Sequence, residues 1–211
     1  MKRKSLIPAA IFFGIFISLV IYIGSAYGSG PCAVDRIAQE WINSIRSPGL
    51  DAFFTNITEL ASVKLMIALI LVLLLIPKTR FKIGVPLAIG ELTNLGIYIL
   101  TKNIMQRPRP DASNYLIDWK DVMDYSFPSG HSATSIFVYL LLAYILFKTF
   151  DKVWAKIGAL ILAILPVLVA FSRLYIGVHW FSDILCGIVL GLACLFAVKG
   201  IFYTDYKNSD A

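Results

Sequence analysis

Ser172-Arg173-Leu174-Tyr175-Ile176-Gly177-Val178-His179-Trp180-Phe181-Ser182-Asp183 decides how this chain is read, because it sets an arginine, a histidine and an aspartate between two apolar runs. The run before it reaches back through Pro166 to the basic turn Lys152–Lys156, and the run after it reaches Tyr203. Each approaches the ~20 residues that cross a hydrocarbon core. Ionisable groups against such runs are costly and point to function. The chain has only two histidines, His131 and His179, and both border runs of this kind.

Composition supports a membrane reading. Of 211 residues, 58% are hydrophobic and only 15% charged, which excludes an ordinary soluble globule. The expectation is an all-α polytopic membrane protein, one membrane-embedded unit over residues 1–211 without room for a second soluble domain. The formal net charge of +6 does not imply a nucleic-acid partner, since the basic residues gather in short segments between apolar runs. Cys32, Cys186 and Cys194 show neither a disulfide framework nor metal-ligand spacing. Cys186 and Cys194 read as small apolar residues of one helix.

Six transmembrane helices are predicted. The first runs from about Leu6 to Tyr27. Gly24-Ser25-Ala26 could end a signal peptide, but the run exceeds the roughly 7–15 residues of a signal core, so an uncleaved helix is expected. Pro31 before Cys32 argues against a lipoprotein. The others are Leu60–Pro77, Ile83–Ile99, Ser129–Phe147, the run ending near Ser172, and Trp180–Tyr203. Glu91 and Asn94 share a face of the third and read as a hydrogen-bonded lock between helices. Pro166 predicts a kink in the fifth, and Gly187 and Gly191 form a close-packing GxxxG face on the sixth. Between the first two spans, Asp35–Thr58 is amphipathic. It reads as an interfacial helical segment anchored by Trp41, with nothing chemically poised in it.

Charge sets the topology. Lys2, Arg3, Lys4, Lys78, Arg80, Lys82, Lys148, Lys152, Lys156, Lys199 and Lys207 fall on one side, with only Asp151, Asp205 and Asp210 against them. That side is expected to be cytoplasmic, with both termini there. The protein is then an integral protein of the plasma (inner) membrane, and the Thr101–Phe127 and Ser172–Trp180 loops face outward.

Three clusters meet on the outward face: Lys102 to Pro110, Pro128-Ser129-Gly130-His131, and the opening stretch. Fixed cations, two histidines, a carboxylate and a helix N-terminus suit a phosphate group. Backbone N–H groups at a helix start bind anions, and glycine permits close approach. Arginine adds bidentate contacts and lysine a point charge. His179 and Asp183, four apart, share a face if the last helix starts near His179. The carboxylate then takes the Nδ1 proton and frees Nε2 for attack on phosphorus. His131 fits the general acid. Arg107, Lys120 and Arg46 read as solvated outer-face charges.

Lys102 followed after six residues by Arg109-Pro110, then Pro128-Ser129-Gly130-His131, then Ser172-Arg173 followed by His179 and Asp183, resembles the three-part signature of the type 2 phosphatidic-acid phosphatase superfamily, in its integral membrane lipid phosphatase branch. The resemblance implies a metal-independent phosphatase with no cofactor. His179 would be the nucleophile, Asp183 its orienting carboxylate and His131 the acid. Lys102, Arg109, Ser129, Gly130 and Arg173 would hold the phosphate. The expected activity is hydrolysis of a lipid phosphomonoester or diphosphate at the outer interface through a phosphohistidine. Undecaprenyl diphosphate, phosphatidylglycerophosphate, phosphatidic acid and diacylglycerol pyrophosphate all remain open as substrates. The alternatives are a phosphatase of soluble esters or a non-catalytic lipid-phosphate binder or transporter. A haloperoxidase fits poorly, since those relatives are soluble, and the sequence does not address oligomeric state.

Overall fold

The computed structural model describes residues 6–28, 30–118 and 124–203. Lys2, Arg3, Lys4, Lys120, Asp205, Lys207 and Asp210, used in the charge reading, lie outside them. The described residues form helices and connecting loops, with no strand among them. The helices are α1 (Leu6–Tyr27), α2 (Ala33–Ile45), α3 (Pro48–Thr58), α4 (Val63–Leu75), α5 (Pro77–Met105), α6 (Gly130–Thr149), α7 (Val153–Tyr175) and α8 (Phe181–Phe202). Five of them, α1 and α5 to α8, are long and apolar enough to cross a membrane. The pair Pro48–Ala61 and Val63–Leu75, bent by 41°, makes a sixth crossing when taken as one span.

The structure redraws two of the expected spans. Leu60–Pro77 is not one helix, because Ser62 is extended (ψ 145°) and restarts the chain as the 13-residue α4. At 1.5 Å per residue α4 is about 20 Å long, short of the ~30 Å core, so the crossing depends on α3 and its closing turn. The next helix is longer than Ile83–Ile99. It starts at Pro77, whose missing N–H costs nothing at a first helical position, and passes through a π turn at Arg80–Gly84. It ends where Gln106 takes a left-handed φ of 46°. The extension carries Lys102 onto the last turn of α5. α7 runs through Pro166 as a single helix.

α6 is the most buried of the membrane-crossing helices, flanked by α7, α8 and α5, while α1 lies along α8. Gly187 and Gly191 explain how closely α8 seats on α6. A Cβ on Gly187 would lie 2.5 Å from the Ser129 carbonyl oxygen, and one on Gly191 2.5 Å from that of Ala133. Phe137, Leu141, Leu190 and Cys186 are fully buried in this core. The outer faces keep exposed Ile7, Ile11 and Ile21 on α1 and Leu160 and Ile161 on α7, a surface suited to lipid rather than water.

The two ends of the bundle differ. At one end Leu6 packs on Gly200, the Tyr203 hydroxyl donates to the Lys82 carbonyl at 2.6 Å, and the Lys199 ammonium sits 4.0 Å from the Tyr144 ring centroid. The described start and finish of the chain therefore share an end with the basic turns. At the other end the last turns of α5 and α7 meet the first turns of α6 and α8. Over them sits the interfacial segment, whose Ile42 and Phe54 join Leu174, Tyr175, Ile176 and Val178 in a second core. Trp41 on that segment stays half exposed, as an interfacial anchor should.

Candidate active site

The start of α8 fixes the first pair. Trp180 is extended (ψ 155°), and the Asp183 carboxylate three residues on accepts its N–H at 2.8 Å, so Asp183 caps the helix. The same Oδ2 lies 3.4 Å from His179 Nδ1. On the far side of the ring, an Arg109 guanidinium nitrogen is 3.2 Å from Nε2. Guanidinium can only donate, so Nε2 accepts, and the ring proton belongs on Nδ1 facing Asp183. His179 is thus held as the tautomer whose Nε2 carries a lone pair, here turned toward Arg109. Its burial, followed by the charges of Arg109, Arg173, Lys102 and His131, pushes its pKa well below the usual 6.5, so the imidazole is neutral at neutral pH.

The anion cradle is tied to this pair. The Ser129 N–H donates to the Asp183 carbonyl at 3.0 Å, joining the cap of α6 to the first turn of α8. The Ser129 hydroxyl oxygen accepts from the Ser132 hydroxyl at 2.9 Å and from its N–H at 3.4 Å. Gly130 opens α6, and a Cβ there would stand 3.1 Å from the Tyr98 ring. Around the cradle, Lys102 pairs with Asp124 at 2.8 Å and donates to the Tyr125 carbonyl. Arg109 pairs with Asp124 and donates to the Val178 carbonyl at 2.6 Å. Arg173, buried near the end of α7, donates to the Thr58 hydroxyl at 2.8 Å. Burial alone would raise the Asp124 pKa, but Lys102 and Arg109 outweigh it and hold the group below its ordinary value. Asp124 therefore puts a carboxylate on two of the cations that the sequence assigned to phosphate.

One cavity of about 780 Å³ is lined by Lys102, Arg109, Gly130, His131, Arg173 and His179 together. Six of the eight residues singled out from the sequence thus share one space. Asp183 and Ser129 lie fully buried behind it. The cavity is not wholly polar: Met66, Ile67, Ile70 and Leu71 of α4 and Ala88, Leu92 and Leu95 of α5 continue its wall along the bundle.

Two residues read as solvated charges are not. Arg107 is fully buried, 2.6 Å from Asp183 Oδ1, 2.7 Å from Asp35 Oδ2 and 2.7 Å from the Ser182 hydroxyl, with a further 3.1 Å bond to the Gly30 carbonyl. Arg46 donates to the carbonyls of Asn114 at 2.6 Å and Tyr175 at 2.9 Å. It thereby ties the interfacial segment to the loop that leads to His179. Nor is that segment chemically inert. Asp35 is fully buried and accepts from the Ser182 N–H at 2.8 Å, the Ser182 hydroxyl at 2.9 Å, and the Cys32 N–H and thiol at 3.0 Å each. Burial would raise the Asp35 pKa, but these bonds and Arg107 outweigh it and keep the carboxyl low. The pairing of Arg107 with Arg109 around Pro108 was the only available signal, and it does not say which arginine turns inward. For Asp35, 148 positions before Asp183 in the numbering, there was none.

A neutral histidine oriented by a buried carboxylate, with cations and a helix N-terminus in a membrane-spanning bundle, defines a membrane hydrolase of phosphate esters. The chain belongs to the PAP2 superfamily, whose family model matches residues 81–207. It is 30% identical over 192 residues to phosphatidylglycerophosphatase B of Bacillus subtilis (strain 168), covering 88% of this chain and 92% of the relative. It is 31% identical over 180 residues to an undecaprenyl-diphosphatase of Sulfolobus acidocaldarius, covering 84% and 82%. The crystal structure of a transmembrane PAP2-type phosphatidylglycerolphosphate phosphatase from Bacillus subtilis matches with a TM-score of 0.77 at 29% identity, covering 92% of this chain and 94% of that one. The protein is an integral membrane lipid phosphatase.

Proposed function

We propose that the chain hydrolyses the phosphomonoester or diphosphate of a membrane lipid at the outward face of the plasma membrane, with both termini cytoplasmic, through a phosphohistidine on His179. One observation carries this reading: the cationic end of the cavity, with both histidines, continues into an apolar trough between α4 and α5. A phosphate at the cationic end would leave a hydrocarbon chain against Ile67, Ile70, Leu71 and Leu92. The relatives named for phosphatidylglycerophosphate and for undecaprenyl diphosphate are consistent with a lipid of either kind.

The contacts support the following steps. Lys102, Arg109 and Arg173, with the N–H groups that open α6 at Gly130, would hold the phosphoryl oxygens and take up charge as it spreads over them. The substrate would displace the Asp124 carboxylate from Lys102 and Arg109, and Arg109, turning to a phosphoryl oxygen, would release His179 Nε2. His179 Nε2 attacks phosphorus as the bond from phosphorus to the leaving oxygen breaks, and His131 gives that oxygen its proton. Asp183 stabilises the imidazolium as the nucleophile takes on charge. His131, now neutral, takes a proton from water, whose oxygen attacks phosphorus. The P–N bond breaks, releasing inorganic phosphate and restoring His179.

Detergent-solubilised protein assayed on long-chain and soluble phosphate esters, with excess chelator and with His179→Ala alongside, tests the reading. Faster release from long-chain esters, resistant to chelator and abolished by the substitution, is expected. Preference for soluble esters, loss to chelator, or full activity of His179→Ala would each overturn it.

A further inference from the structure

The cavity holds one carboxyl that the mechanism does not use. Ala88, Glu91, Leu92, Leu95, Tyr98 and Lys102 all line it from α5, so a single stripe of that helix carries an acid in the middle of its apolar part. The two oxygens of Glu91 have different partners. One accepts from the Thr134 hydroxyl of α6, the other from the Asn94 side-chain nitrogen at 3.2 Å. Asn94 is fully buried behind Glu91, and Glu91 and Thr134 both border the cavity. A group that only locked α5 to α6 would be sealed between them. This one presents a hydrogen-bonding edge to the space where a lipid chain would lie, in a wall whose neighbouring residues on α4 and α5 include Ile67, Ile70, Leu71, Ala88, Leu92 and Leu95, with Tyr98 nearer the cradle. An acid kept at such depth is costly and marks a site that uses it.

Its depth says what it meets. Thr134 is four residues along α6 from Gly130, so the Glu91–Thr134 pair lies one helical turn, about 6 Å, below the anion cradle. In a glycerol-based lipid phosphate, ester carbonyls or a free hydroxyl follow the phosphate at that range; a hydroxyl donates to Glu91, whereas an ester carbonyl, an acceptor, is met by the O–H of Glu91 in its protonated form. In a polyprenyl diphosphate that stretch holds the inner phosphate and then hydrocarbon, an anion beside an acidic side chain and a chain that takes no hydrogen bond. We infer that Glu91, with Thr134, is a specificity site that reads the glycerol backbone, and that the substrate is a glycerolipid phosphate rather than a polyprenyl diphosphate. This rests on the lipid phosphatase reading above. An apolar chain laid against the pair would leave its hydrogen-bonding groups unmatched, and sites built to hydrogen-bond a substrate discriminate strongly against analogues that lack the partner.

The test compares kcat/KM for long-chain phosphatidic acid, its ether-linked analogue, undecaprenyl diphosphate and p-nitrophenyl phosphate, which has no glycerol backbone to present to Glu91. Wild type should favour phosphatidic acid over undecaprenyl diphosphate by at least about tenfold. Glu91→Leu should lower the phosphatidic acid value about tenfold more than the undecaprenyl diphosphate value, collapsing the ratio. Glu91→Gln, which keeps a hydrogen-bonding edge, should retain most of the preference. The ether analogue separates the two backbone contacts: a loss on it matching that of Glu91→Leu assigns the contact to the ester carbonyls, and little loss to the other glycerol oxygens. Equal losses on both lipids in Glu91→Leu, or a wild-type preference for undecaprenyl diphosphate, would overturn the inference while leaving the phosphatase reading intact. Turnover of p-nitrophenyl phosphate with no release from either lipid would overturn both. Should Glu91→Leu not fold, Thr134→Val carries the same comparison, and an unchanged ratio there has the same overturning force.

Discussion

Arg107 offers the sharpest test of how the site is held together. Its guanidinium joins two buried carboxylates, Asp183 at 2.6 Å and Asp35 at 2.7 Å, and all three side chains are inaccessible to solvent. Arg107→Ala would leave two carboxylates, one helix cap and the Ser182 hydroxyl facing an unfilled space. Removing one member of a buried ion pair costs about 3–5 kcal/mol. At roughly 2–4 °C per kcal/mol for a chain of this size, the midpoint of thermal unfolding should fall by about 6–20 °C. Catalysis should suffer separately, because Asp183 Oδ2 can hold His179 Nδ1 only while Oδ1 is anchored. Arg107→Ala should lower kcat by at least about a hundredfold, with a smaller change in KM, since Arg107 is not among the residues lining the cavity. Arg107→Lys carries the charge but cannot span both acids with one ammonium, and should lie between. Asp35→Asn keeps the Arg107–Asp183 contact and should cost less than either in kcat. The assay is thermal unfolding in detergent beside steady-state phosphate release. An Arg107→Ala protein with wild-type melting and kcat would refute the argument. So would one whose loss lay wholly in KM.

Three further predictions address separate contacts. Asp124→Asn removes the carboxylate lying on Lys102 and Arg109, so KM and the inhibition constant for inorganic phosphate should both fall, by about three- to tenfold. A rise in both would instead make Asp124 the residue that positions those cations. His179 has its pKa pushed well below 6.5 by burial and four neighbouring cationic or titrating groups. The reactive neutral ring therefore persists as pH falls through 6.5, and the acid limb of kcat/KM, which reports the free enzyme, should have its midpoint below that value. A midpoint at or above 6.5 would contradict the buried, cation-flanked ring. Gly187→Ala places a methyl 2.5 Å from the Ser129 carbonyl and should destabilise by about 1–3 kcal/mol through overpacking, with a drop in kcat/KM as the cradle shifts. Gly14→Ala, which meets nothing within 4 Å on α1, is the control and should leave both unchanged in unfolding and activity measurements.

What the sequence made legible depended on whether the signal was local. The membrane-crossing helices were readable because lipid demands a long apolar run from each of them independently. Gly187 and Gly191 were readable because their spacing of four is itself the packing motif. His179 and Asp183 were readable for the same reason, four apart across one helix start. The short α4 was not, since the stretch from Leu60 to Ile76 is apolar throughout apart from Ser62 and Lys64, and the bend is a backbone event at a single serine. Glu91 and Asn94 were paired correctly, but only the position of Thr134 on the neighbouring helix turned a lock into a cavity wall.

The misreading of Arg107 has a physical cause that bears on the chemistry. Local sequence gives an arginine two options, solvent or ligand, and Arg107 takes a third by joining carboxylates that come from different parts of the chain. Apart from Arg109 at Nε2, the contacts that set His179 run through Asp183: its side chain faces Nδ1, caps α8 and meets Arg107, while its carbonyl accepts from Ser129. The contacts to Ser129 and Arg107 are met only once a different element has docked: α6 for Ser129, the loop after α5 for Arg107, and through Asp35 the segment that covers the site. The orientation of His179 therefore rests on the assembled bundle as well as on the local cap. A substitution at Asp35, which reaches Asp183 through Arg107 and does not line the cavity, should accordingly act on kcat before it acts on phosphate binding.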